Sequence, residues 1–122
     1  MPRSSATSHE LQRIGLLAGL PGQTLLQLAK RVERLEVPPG TSVVREGDQD
    51  DTFYLVFAGM LAVANTIGPR RLLRPGDYFG EVAPTMETAR TATVTSMTPC
   101  VLGVCDRATF DEFIRPLFAD DS

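Results

Sequence analysis

Between Pro38 and Asp77 the chain is punctuated by turn-forming residues at short, fairly even intervals, and no other feature limits its fold as much. Pro38-Pro39-Gly40, Gly47-Asp48, Gly59, Gly68-Pro69 and Pro75-Gly76-Asp77 each favour a reversal. Glycine reaches positive φ without a Cβ clash, and proline pre-sets the φ that a tight turn needs. The stretches left between these turns have room only for short strands, and short strands joined by close turns build an antiparallel barrel, roll or jelly roll. Leu35 and Val37 alternate with Arg34 and Glu36, as in a strand with one wet face. Phe53 to Ala58 is apolar on both faces, so a strand there needs cover on both sides. Thr91-Ala92-Thr93-Val94-Thr95 alternates again, and Val101 to Val104 forms a further apolar strand.

Helical patterns flank this region. Leu11, Ile14, Leu16 and Leu17 mark a short helix ending near Gly19. Pro21 suits the first turn of a second helix, where its missing N–H has no helical partner. Leu25, Leu28, Ala29 and Val32 then fall at i, i+3, i+4 and i+7, one apolar stripe. A last helix opens at Asp106, a good N-cap, and carries Phe110, Phe113, Ile114 and Leu117 on one side. Pro116 should kink or end it. The expected fold is mainly β with flanking helices: an antiparallel, jelly-roll-like β-roll with N-terminal helices and one C-terminal helix. Residues 1–10 read as a polar N-terminal tail and 11–122 as a single domain.

Composition narrows the function. The net charge of −3 argues against nucleic acid, whose binders gather an excess of Lys and Arg on one face. No apolar run approaches the roughly 20 residues of a membrane span, and the polar start lacks the pattern of a secretory signal. The expected location is the cytoplasm. Cys100 and Cys105 are too few for a disulfide scaffold and read as core residues of adjoining strands. A metal site needs more Cys or His, and His9 is the only histidine. That also excludes a metal enzyme on a cupin-like roll, which needs two or three histidines on facing strands. No catalytic residues, metal or cofactor are expected.

The chemistry concentrates in Phe79-Gly80-Glu81-Val82-Ala83-Pro84-Thr85-Met86-Glu87-Thr88-Ala89-Arg90-Thr91-Ala92-Thr93-Val94. This segment leaves a strand at a glycine, makes a short excursion and re-enters a strand at Arg90. Pro84 fits the first turn of a short helix. Unpaired N–H groups in such a loop make an anion cradle, and Gly80 lets backbone approach a ligand closely. Arg90 offers a donor fork that grips a phosphate bidentately, and Glu81 can accept hydrogen bonds from a sugar hydroxyl. Phosphate and sugar together mean a nucleotide. The plainer reading of Glu81 and Arg90, a surface ion pair worth little, explains neither Gly80 nor the strand after Arg90.

Phe79, Gly80, Glu81, Ala83, Arg90, Ala92 and Val94 resemble, without insertion or deletion, the phosphate-binding cassette of the cyclic nucleotide-binding domain family. That family includes the catabolite activator protein and the regulatory subunits of protein kinase A. The resemblance extends to Pro39-Gly40, Glu46-Gly47-Asp48, Tyr54, Gly59 and Pro75-Gly76-Asp77, and covers roughly Leu11 to Phe118. It implies that Arg90 pairs with the cyclic phosphate, that Glu81 binds the ribose 2′-OH, and that the amides of Gly80, Glu81, Val82 and Ala83 line the phosphate site. Thr91 would add a hydroxyl near the phosphate, or near the base as in relatives that prefer cyclic GMP; it also fits an ordinary strand. Phe57, Arg70 and Arg71 fall where family members contact the base, although a solvated turn is the stronger reading of both arginines.

The expected ligand is a cyclic nucleoside monophosphate, and the expected partner an attached effector domain or partner protein that reads its occupancy. Homodimers are common in such relatives. The base remains open between adenine, guanine, cytosine and uracil. Two other readings are an N-terminal cyclic CMP or cyclic UMP sensor of a bacterial anti-phage effector, of TIR or membrane type, and a ligand-free β-roll scaffold. The sequence departs from the family in two places. Pro84 and Thr85 replace a pair of large aliphatic residues, and proline removes a backbone donor. The family's further helix, which caps the base, would follow the one opening at Asp106, yet the sequence stops at Ser122. The expectation is a sensor excised from a longer protein.

Overall fold

In the computed structural model, residues 4–48, 51–64, 71–80 and 92–119 are described. The doubly apolar stretch becomes strand β4 (Phe53–Ala58), and its neighbours explain its composition. It lies in a sheet with β1 (Ser4–Ser5), β2 (Glu33–Val37), β7 (Tyr78–Phe79) and β9 (Cys100–Cys105), in the order β1-β2-β9-β4-β7. A second sheet holds β3 (Ser42–Val44), β5 (Leu61–Ala64), β6 (Arg71–Leu73) and β8 (Thr93–Ser96), in the order β3-β8-β5-β6. Every pairing is antiparallel. Successive side chains of a strand point to opposite faces. Phe53 and Leu55 therefore enter a cluster shared with the helices, while Tyr54 and Val56 enter the core between the sheets.

Strand β9 divides in the same way. Cys100 and Cys105 lie five positions apart on this one strand, not on adjoining strands as expected. The odd separation puts Cys100 in the inter-sheet core and Cys105 in the helical core, both as free, buried thiols.

The N-terminal region is more built-in than its polarity implies. Residues 4–10, expected to lie in a tail outside the domain, are part of it. Ser4 and Ser5 pair with Arg34 and Glu33 of β2, the Ala6 N–H donates to the Val32 carbonyl at 2.8 Å, and Ala6 is buried. The polar side chains stay outside while the backbone completes the sheet edge. Helix α1 (Ser8–Gln12) starts at a capping box, with the Glu10 N–H donating to Thr7 Oγ1 at 3.1 Å and the Thr7 N–H to Glu10 Oε1 at 3.0 Å. The single helix expected over 11–20 is instead split, with α1 ending at Gln12 and a 3₁₀ turn following at Gly15–Leu17. Leu11, Ile14 and Leu17 are all fully buried, and their spacing of three matches the 3₁₀ repeat rather than the α repeat.

Helix α2 (Gly22–Ala29) places Pro21 at its N-cap, one position before the first turn where it was expected. Leu25, Leu28, Ala29 and Val32 are buried together.

The C-terminal helix α3 (107–119) begins at Asp106, whose carboxylate accepts the Thr109 N–H at 2.8 Å. Pro116 does not end it. The chain widens to a π-helix over Phe110–Ile114, with the Arg115 N–H donating to the Phe110 carbonyl, and continues helically as Arg115–Ala119. A proline cannot donate and collides with the carbonyl four residues back; the wider turn just before it takes up that mismatch. Phe110 packs on Phe53 with ring centroids 4.9 Å apart, and Phe118 meets Tyr78 at 5.6 Å. Among the described residues no helix is long and apolar enough to cross a membrane.

Candidate ligand-binding site

The segment singled out in the sequence joins the two sheets at one end of the roll. Its entry is held firmly. In the turn at Pro75-Gly76-Asp77, the Arg74 N–H donates to Asp77 Oδ2 at 2.8 Å and the Asp77 N–H to the Arg74 carbonyl at 3.0 Å. The Gly76 N–H donates to the Val56 carbonyl, and the Val56 N–H to the Asp77 carbonyl, both at 2.9 Å. Phe79 is then buried and stacked on Tyr54, with centroids 4.8 Å apart and planes 11° from parallel. Gly80 follows with φ +98°, in the region that favours glycine.

The exit is equally anchored. Strand β8 lies between β3 and β5, the Glu46 N–H donates to Thr93 Oγ1 at 2.9 Å, and Val94 is buried opposite Val44 and Val63.

The same register sets a row of side chains across the second sheet. Val44, Val94, Val63 and Arg71 succeed one another across β3, β8, β5 and β6. They share the face of Leu61 and Leu73, which point into the inter-sheet core. This row of three valines ends at an exposed arginine. The Tyr54–Phe79 stack belongs to the same core from the other sheet.

Of the residues expected at a site, Gly80 directly follows β7 and Arg71 is exposed at the start of β6. Phe57 lies elsewhere. It is the extra residue of a β-bulge between Val56 and Ala58, and it packs on the helical side, where a Cβ on Gly103 would come 2.7 Å from its ring. Glu81, Val82, Ala83, Arg90, Thr91 and Arg70 lie outside the described residues. Val44 and Val63 were not singled out from sequence, since only the strand register brings them beside Val94.

Among the described residues the perturbed ionisable groups are Cys105 and Asp106. Burial, and secondarily the Asp106 charge, push the Cys105 thiol up to about 12. It is a neutral core thiol rather than a nucleophile. Among the described residues no three His, Cys, Asp or Glu side chains are grouped to hold a metal.

Two antiparallel sheets, the first continuing into the second after a left-handed glycine at the end of β7, define a β-roll. The chain belongs to the cyclic nucleotide-binding domain family, whose model matches residues 34–116. It is similar to the cAMP-dependent protein kinase regulatory subunit of Yarrowia lipolytica, with 34% identity over 117 residues, 94% of this chain and 31% of that one. It is also similar to the acetyltransferase Pat of Mycolicibacterium smegmatis, with 32% identity over 87% of this chain and 33% of that one. Among solved structures, a co-crystal of the Toxoplasma gondii PKA regulatory domain with cAMP superposes with a TM-score of 0.84 at 25% identity, covering 90% of this chain and 44% of that one. The chain thus spans about a third of the length of the curated relatives it matches.

Proposed function

We propose that the chain is a sensor that binds a cyclic nucleoside monophosphate at the opening between Gly80 and Ala92 and passes occupancy to an attached effector. One observation carries the reading: a left-handed glycine, φ +98°, begins the loop that joins the two sheets and includes both Glu81 and Arg90. In this reading Arg90 neutralises the ring phosphate, Glu81 accepts the ribose 2′-OH, the amides of Gly80 to Ala83 complete the phosphate cradle, and Thr91 adds a hydroxyl beside it. The relatives pair similar domains with different outputs, a kinase regulatory subunit in one case and an acetyltransferase in another, which supports a portable sensor without chemistry of its own.

In this reading Arg71, exposed on the edge strand β6, contacts the base. A guanidinium has donors only, so that contact favours bases that present carbonyl oxygens, namely guanine, cytosine and uracil, over adenine. Titration calorimetry with cyclic AMP, GMP, CMP and UMP on one preparation tests ligand and base together. Arg90→Ala lowers affinity for the preferred nucleotide by about 2–5 kcal/mol, the cost of stranding one partner of a buried charge pair, or about 30-fold to a few thousand-fold. Parent-like binding by the variant refutes the role of Arg90.

A further inference from the structure

On the other side of β4 from this opening, a cavity of about 240 Å³ lies beneath the loop that follows α1. Glu10, Arg13, Arg34, Phe57, Gly76 and Val101 are among the residues lining it. It exists because of two local irregularities. The β-bulge at Phe57 adds a residue with no counterpart on β9, and bulges re-aim the side chains beside them. The Pro75-Gly76 turn crosses close beneath the Arg13 carbonyl, which a Cβ on Gly76 would approach to 3.4 Å.

The charge of the lining is unbalanced. Glu10 is occupied twice over, by the Thr7 N–H and by Arg34 Nε at 3.0 Å. Arg34 Nε is buried and, although 3.0 Å from Glu10 Oε2, makes no hydrogen bond. Among the described residues Arg13 has no carboxylate partner. Two arginines and one glutamate thus line the cavity together with Phe57 and Val101. Guanidiniums recognise planar carboxylates bidentately, while the apolar wall takes a flat hydrophobic body.

We propose that this cavity is a second binding site, distinct from the nucleotide opening, for a small organic anion: a carboxylate carried on a flat apolar body. Its volume is below the usual range for drug-sized ligands, so it accepts about ten non-hydrogen atoms. The site abuts the Pro75-Gly76-Asp77 turn, whose hydrogen bonds to Val56 hold the entry to the nucleotide loop.

Phenylacetate titrated into the 15N-labelled 122-residue chain tests it, with benzylamine as the cationic counterpart of the same shape. Saturable amide shifts at Arg13, Phe57, Gly76 and Val101 are expected with phenylacetate and not with benzylamine. Arg13→Ala and Arg34→Met, which spare the core, each weaken binding about tenfold. The proposal is overturned by absence of shifts there at millimolar phenylacetate, by equal response to benzylamine, by unchanged affinity in both variants, or by shifts centred on Val63, Gly80 and Val94. The nucleotide titrations above read the other opening on the same sample, so either site can fail without the other.

Discussion

Gly59 has φ +88°, and any Cβ there would run into the Pro99 carbonyl oxygen, lie 2.6 Å from Cys100 Sγ and 2.8 Å from Cys100 Cα. Gly47 has almost the same φ, +93°, but faces open space. The pair separates two costs that sequence alone merges. Gly47→Ala incurs only the left-handed backbone penalty, about 1–2 kcal/mol. Gly59→Ala adds overpacking against backbone that cannot rotate away, about 1–3 kcal/mol more. Urea denaturation of the two variants measures the difference, and equal losses would remove crowding as the reason for glycine at 59. Both turns were legible as turns from their glycines. The crowding at Gly59 was not, because Pro99 and Cys100 arrive from some forty residues away.

In α3, a cap, a wide turn and a proline act together. The Thr109 N–H, donating to the Asp106 carboxylate, holds that carboxyl below its ordinary value of 3.8. A depressed folded-state value means the stabilisation is complete above the unfolded value and is lost as pH falls through the folded one. Asp106→Ala should therefore cost about 0.5–2 kcal/mol near neutrality. The gap between parent and variant in urea midpoints should narrow as pH drops below about 4. A gap that stays constant into strong acid would mean the carboxylate does not cap the helix. The cap was readable in the sequence, as was the apolar side with Phe110 and Ile114. The helix's passage through Pro116 was not, since it depends on a π turn that lets Phe110 and Phe118 both reach the Phe53–Tyr78 cluster.

Across the whole molecule, one sheet serves two cores, the helices packing on one face of β4 and β9 and the second sheet on the other. A ligand held between the two sheets binds only the assembled roll and stabilises it by linkage, about 2.7 kcal/mol at a hundredfold excess over Kd. For a chain of this size that raises Tm by roughly 10 °C. No shift with any of the four cyclic nucleotides would leave the roll as a scaffold. The sequence by itself determined the turns, the strand patterns, the caps and the spacing from Phe79 to Val94, because each is a local preference of backbone or side chain over a few residues. Only the tertiary structure decided that Ser4 and Ser5 complete a sheet, that Cys100 and Cys105 face different cores, that Phe57 turns away from the opening, and that Val44, Val63, Val94 and Arg71 form one row. Those outcomes depend on strand register and bulges. Pairings between distant segments set both, and no periodicity within one segment encodes them.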